Sequence, residues 1–262
     1  MSWFIRFVVS FLLVWLSSDM SQPLLAQSTP PIRVLILTGQ NNHAWQETTP
    51  VLKKILTDSG RFIVNVTEHP EQATKKTFAG CNVVLSNWNA LGPITQWPEA
   101  TRSALLNFVR NGGGFVVVHA GGTMFPDWPD FQKLIGATWG EGTGHGPYHT
   151  FKVTISDQNH PITKGLASFE TTDELWHRMV AQPGKQVLAT AFSAKEFGGT
   201  GNPEPVVMVT QFGKGRCFNL VLGHDVKAMN NPGFQTLLLR GTQWAATGLV
   251  TIASPGTKAL HP

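Results

Sequence analysis

Gly112-Gly113-Gly114-Phe115-Val116-Val117-Val118-His119-Ala120-Gly121-Gly122 is the stretch that decides the fold class. Gly114 to Val118 is apolar without alternation, the pattern of a strand covered on both faces. Strands of that kind belong to parallel sheets, so the neighbouring segments should alternate between strand and helix. Just upstream, Pro98 to Arg110 reads as a helix, with Leu105, Phe108 and Val109 on its buried face and Gly112 beyond its end. Val83 to Ser86 and Phe62 to Val66 read as strands, as does Ile32 to Leu37, whose apolar run is interrupted only by Arg33. Between the first two strands, Pro50 sits at an expected first helical position with Thr49 as N-cap. There Val51/Ile55 and Leu52/Leu56 share one face, and Gly60 is the stop. The order β-α-β-β-α-β with short connections predicts a mostly parallel sheet with helices on both sides.

Downstream the pattern changes. Phe131 to Leu134 reads as a short helix, and Thr150 to Ile155, Gln186 to Ala191, Val206 to Gln211 and Cys217 to Leu222 read as strands. Gly213-Lys214-Gly215 marks a tight hairpin between the last two, and Pro232 opens a final helix through Trp244. No internal repeat or low-complexity tract interrupts this, so residues 32–250 are expected to form one domain, with a linker at 27–31 and a tail at 251–262.

The 262 residues suffice for one α/β domain with a full core. The net charge of +4 comes from scattered Lys and Arg, with Lys53-Lys54 and Lys75-Lys76 the only doublets. A nucleic-acid surface needs clustered basic residues, so that partner class is set aside. Residues 1–26 read as a cleavable signal peptide. Arg6 is the positive region, Phe7 to Leu16 is an apolar run too short to span a bilayer, and Ala26 precedes a cut that leaves Gln27 first. The expected location is periplasmic or secreted, with no membrane span left after cleavage; an uncleaved anchor is the alternative. Cys81 and Cys217 are the only cysteines, so at most one disulfide can form, and two buried free thiols are the simpler expectation.

Ligands of open parallel sheets bind beyond the carboxyl ends of the strands. Those ends carry Thr38-Gly39-Gln40-Asn41-Asn42-His43, then Asn87-Trp88-Asn89, then His119-Ala120-Gly121-Gly122, and last Gly223-His224-Asp225. Polar groups gathering at one edge are what a site requires. His119 ends an apolar strand and could equally be a buried core histidine. Asp225 beside His224 could orient it. His145 and His149 have a spacing that suits a metal only on a helix, and the surrounding Gly and Pro oppose a helix. In Asp173-Glu174-Leu175-Trp176-His177, an extended backbone puts Glu174 and Trp176 on one face and Asp173 and His177 on the other.

Taken together, these residues resemble the trehalose-utilisation ThuA-like family. The carriers are Val34-Leu35-Ile36-Leu37-Thr38-Gly39 with His43, the Gly112 to Ala120 strand and turn, and His160-Pro161-Ile162 followed by Gly165-Leu166. Asp173-Glu174-Leu175, and Gly213-Lys214-Gly215-Arg216 leading to Leu222-Gly223-His224-Asp225, complete the set. The resemblance covers residues 32–247. It implies a class I glutamine-amidotransferase-like fold, a flavodoxin-like three-layer sandwich. True amidotransferases place a Cys at the sharp turn after a strand. Here that turn is His119-Ala120-Gly121-Gly122, so thiolate catalysis lacks its nucleophile. The resemblance also implies carbohydrate processing downstream of a sugar dehydrogenase that makes 3-keto sugars.

The resulting expectation is an enzyme acting on an oxidised sugar or glycoside by acid/base chemistry. His119 or His224 would be the base with Asp225 as orienter, and His43 and Glu174 the second acid/base pair. Asn41, Trp88, His145 and His177 would hold the sugar. A histidine pKa of about 6.5 allows both proton roles at neutral pH. A divalent metal on the same histidines would instead polarise the keto oxygen. The alternative is a non-catalytic sugar-binding or accessory module. A nucleotide-binding protein of flavodoxin type is disfavoured, because Gln40-Asn41-Asn42 is not a Gly-rich phosphate loop.

Overall fold

The computed structural model describes residues 30–125 and 127–254. The expected signal peptide and most of the two terminal segments lie outside them. No helix among the described residues is long and apolar enough to cross a membrane.

Among the described residues, nine strands build the main sheet: β1 (Ile32–Leu37), β2 (Phe62–Thr67), β3 (Val83–Ser86), β4 (Gly114–Val118), β5 (His149–Ile155), β6 (Phe169–Asp173), β7 (Gln186–Phe192), β8 (Pro203–Phe212) and β9 (Gly215–Leu220). Their spatial order is β2-β1-β3-β4-β9-β8-β7-β5-β6. The first five in that order pair in parallel, as the unbroken burial of β3 and β4 at their centre requires. The other four extend the sheet with antiparallel ladders, beginning with the hairpin that turns at Gly213-Lys214.

Alternate residues of the parallel strands feed two cores. Val34, Ile36, Val116, Val118 and Phe218 face α1 (Trp45–Asp58) and α6 (Pro232–Thr247). Leu35, Leu37, Phe115, Val117 and Cys217 face α2 (Lys75–Ala79), α3 (Glu99–Arg110) and α4 (Pro129–Ile135). This is the expected three-layer sandwich. A short α5 (Val226–Met229) follows the last strand.

Two local expectations are corrected. α1 begins at Trp45, and Pro50 lies inside it. Proline removes one backbone donor there, and tertiary bonds hold the extra turn. Asn87 Nδ2 donates to the hydroxyls of Thr48 and Thr49, and Thr49 shares a 2.7 Å bond with Thr38. β6 escaped the sequence reading because Phe-Glu-Thr-Thr-Asp is mostly polar, although Thr171 and Asp173 alternate inward. The sulfurs of Cys81 and Cys217 are both free.

Candidate functional site

The site is built at the carboxyl edge of the parallel strands. The β4/β9 register pairs Val118 with Leu220, so the next residues, His119 and Val221, are neighbours. His119 bends sharply there, with φ of 41° and a 3₁₀ turn through Thr123. That is an uncommon backbone region for a residue with a Cβ. The turn fits tightly beneath β3: a Cβ on Gly121 would lie 2.5 Å from the Ser86 carbonyl oxygen. The strand-end elbow of an amidotransferase-like fold is therefore present, with a histidine where a nucleophile would stand. His119 Nδ1–H donates to the Val221 carbonyl at 2.7 Å, which leaves Nε2 free to face the cleft side.

His43 is held in the same manner. Its Nδ1–H is shared by the amide oxygens of Asn41 and Asn42, each at 3.1 Å, and Asn89 Nδ2 braces both oxygens. Asn41 in turn donates to the Asn87 carbonyl. Asn41, expected to touch the sugar, orients His43 and ties the end of β1 to the end of β3.

Three ring nitrogens converge on one oxygen of Glu174. His224 Nδ1 lies 3.3 Å from Oε2, His119 Nε2 3.5 Å and His43 Nε2 3.9 Å. These four atoms all lie within 4.8 Å of one another. The other carboxylate oxygen, Oε1, faces His145 Nδ1 at 3.4 Å. Burial would push the Glu174 carboxyl up, but the facing rings of His119, His224 and His43 outweigh it and hold the group far below the usual carboxylate range. Burial lowers the pKa of His43, whereas the Glu174 carboxylate raises that of His224.

A cleft of about 180 Å³ opens on this cluster. His43, Glu174 and His145 line it, together with Trp139 and Trp176, whose rings meet edge to face at 5.0 Å. His119 and His224 are not among its lining residues and sit behind that wall. An extended backbone puts Glu174 and Trp176 on one face, as found, but nothing in the sequence marks either tryptophan as a site residue. Trp139 carried no signal, because it follows a two-residue strand. A larger crevice of about 1070 Å³ lies between α2 and α3, lined by Phe78 and Phe108, and has no histidine in its walls.

Three expectations are corrected. Trp88 is fully buried against Trp97 and Phe125, so it is a core residue rather than a sugar platform. His177 is buried and turned away from the cleft, with Nδ1 at 3.4 Å from Ser193 Oγ and Nε2 at 3.2 Å from Arg178 Nη2. Asp225 does not hold the His224 ring: its Oδ1 caps α5 through the Ala228 N–H at 2.8 Å and accepts the Tyr148 hydroxyl at 3.0 Å. His149 stacks on Phe197 at 4.1 Å and does not join His145 at the cluster.

No curated protein matches the chain. Among solved structures, a ThuA-like protein from Parabacteroides merdae ATCC 43184 superposes with a TM-score of 0.77 at 36% identity, covering 87% of this chain and 94% of that one. A second ThuA-like protein, from Bacteroides uniformis ATCC 8492, gives a TM-score of 0.64 at 21% identity, over 88% of this chain and 97% of that one. The β-galactosidase of Rahnella sp. R3 shares the fold at a TM-score of 0.53 and 18% identity, over 80% of this chain and 31% of the enzyme. The profile of the ThuA family, described as trehalose utilisation, matches residues 33–245, and the chain belongs to that family.

Proposed function

We propose that the protein is a carbohydrate-processing enzyme acting on oxidised, 3-keto sugars or glycosides by His/carboxylate acid–base chemistry at a divalent metal centre. The observation that carries this reading is the convergence of His43 Nε2, His119 Nε2, His224 Nδ1 and Glu174 Oε2 on one point beside the cleft that His43 and Glu174 line. With Nδ1–H committed to a carbonyl, a neutral His119 presents a lone pair to a carboxylate oxygen. Its Nε2 and His224 Nδ1 are buried without a hydrogen-bond partner. Lone pairs facing one another out of water are unfavourable unless a cation or proton lies between them.

The donor set fits a metal. Three imidazole nitrogens and one carboxylate oxygen suit zinc or a neighbouring transition ion rather than magnesium or calcium. Ligands of a tetrahedral site with bonds of about 2.0–2.1 Å lie roughly 3.3 Å apart; the separations around Glu174 Oε2 are 3.3–3.9 Å, and all four atoms lie within 4.8 Å of one another, so a small contraction closes the set on an ion. The fixed Nδ1 partners of His43 and His119 are the outer-shell bonds that metal-binding histidines use. Bound there, a divalent ion supplies Lewis acidity to a ligand oxygen.

The chain's own residues do the rest. A ketone acidifies the neighbouring C–H, so one group must take that proton and another must return it. Glu174 Oε1 and His145 line the cleft as a pair, and the His145 ring is partly exposed and can exchange with solvent. Trp139, half-buried at the cleft wall and backed edge-on by the buried Trp176, offers a surface for the apolar face of a sugar ring. The outcome is isomerisation, or elimination of the glycosidic leaving group. A periplasmic or secreted location and a sugar dehydrogenase in the same route belong to this reading.

The test is incubation of purified protein with 3-keto disaccharides, with and without chelator. Conversion that is lost on chelation and restored by a divalent transition metal is expected. Binding of the sugar without turnover under every metal condition would favour the accessory-module reading instead.

A further inference from the structure

Glu174 and His224 come from elements that share no ladder. Glu174 follows β6, at one edge of the sheet, whereas His224 follows β9, four places inward. Their 3.3 Å approach must therefore be set by something other than strand register.

Asp173 spans that gap. Its side chain is fully buried. Oδ2 accepts the Gly223 N–H at 2.7 Å, and Oδ1 accepts the His224 N–H at 3.1 Å and the Glu174 N–H at 2.8 Å. One carboxylate thus grips the backbone of Glu174 and His224 at once. Gly223 makes the grip feasible: its φ of 106° turns the chain directly before His224, and a Cβ there would strike the Phe234 ring at 2.6 Å. His224 Nδ1 lacks a hydrogen-bond partner, so the ring is held by packing against His43 and Tyr148 and by its backbone. His43 and His119, by contrast, are each fixed through Nδ1.

We propose that Asp173 is the positioning residue of the site: its buried carboxylate, by binding the N–H groups of Gly223, His224 and Glu174, sets the separation between the Glu174 oxygen and the His224 nitrogen. This rests on the metal-centre reading above and assigns to Asp173 the task that the neighbouring Asp225 does not perform. Asp173 touches neither metal nor substrate and acts through the two residues it holds. Replacement by Asn keeps an acceptor on one side but turns an NH₂ donor toward a backbone N–H on the other, so the grip is lost on at least one strand end.

The experiment titrates the full chain with Co(II), and with Zn(II) against a chromophoric chelator, for the unaltered protein, Asp173→Asn and Asp173→Ser. Folding is checked by far-UV circular dichroism. The expected result is folded variants whose metal affinity falls roughly 10–100-fold, as for loss of other outer-shell partners, with a changed Co(II) visible spectrum at saturation. A carboxylate needed only for stability would lower the melting temperature and leave affinity and spectrum unchanged, which overturns the proposal. Loss of fold in both variants overturns it as well, by making the role structural. If the unaltered protein binds neither metal, the metal-centre reading itself fails. If it binds and the variants match it, only the assignment of Asp173 fails.

Discussion

His119→Asn separates a site histidine from a core histidine. Asn tolerates positive φ better than most residues with a Cβ, so the 41° backbone angle adds no new strain. What goes is the buried 2.7 Å bond to Val221 and the Nε2 facing Glu174. An unpartnered buried carbonyl costs about 1–3 kcal/mol. For a domain of this size that lowers the metal-free Tm by roughly 2–12 °C. The metal-dependent part is more telling. At 100 times its dissociation constant a ligand stabilises the folded state by about 2.7 kcal/mol, or roughly 5–11 °C. If loss of a ligand weakens binding about 100-fold, the same metal concentration leaves about 0.4 kcal/mol, or only ~1–2 °C. Thermal melts with chelator and with Zn(II), on one preparation, read both quantities. Turnover of a 3-keto disaccharide should fall roughly 10²–10⁴-fold if a positioned acid or base is also disturbed. A variant that melts lower but keeps the full metal-induced rise and full specific activity would refute the reasoning and make His119 a core residue.

Burial pushes the Cys81 thiol up to about 11, and Cys217 is fully buried with its thiol raised further. Iodoacetamide at pH 8 should therefore leave the native protein almost unlabelled, because only about one Cys81 in a thousand is then a thiolate; mass spectrometry should find both sites alkylated after unfolding. Joint replacement of Cys81 and Cys217 should leave turnover per folded molecule intact, and a specific loss would revive a thiol mechanism. Trp88→Ala should cost about 3–5 kcal/mol in urea unfolding, as large core truncations do, whereas Trp88→Phe should bind sugar as the unaltered protein does; weakened binding with unchanged stability would return Trp88 to the site. Exported protein should begin near Gln27 by intact mass, and material still carrying Met1 would favour an anchor.

The strand ends show where sequence suffices and where it stops. β1, β3 and β4 were legible because parallel strands covered on both faces must be apolar throughout, and Gly114 to Val118 is buried along its whole length. From the rule that sites form at carboxyl ends, His43, His119 and His224 followed directly. Their meeting did not, since it depends on which strands are neighbours and on which ring nitrogen each backbone carbonyl or amide claims. Glu174 follows a polar strand at the sheet's far edge, and only contacts between distant segments bring it to the histidines. Trp88 and Trp176 both follow strands, yet one is fully buried among core aromatics and the other lines the cleft, because packing against Trp97 and Phe125 or against the His119 turn decides it. Asp225 stands next to His224 in sequence and cannot serve its ring, since the helix that begins there takes the carboxylate as a cap. Local pattern thus determined the elements and the edge where chemistry collects. Only the tertiary structure decided which polar groups face one another out of water, because that is set by contacts between residues far apart in the chain.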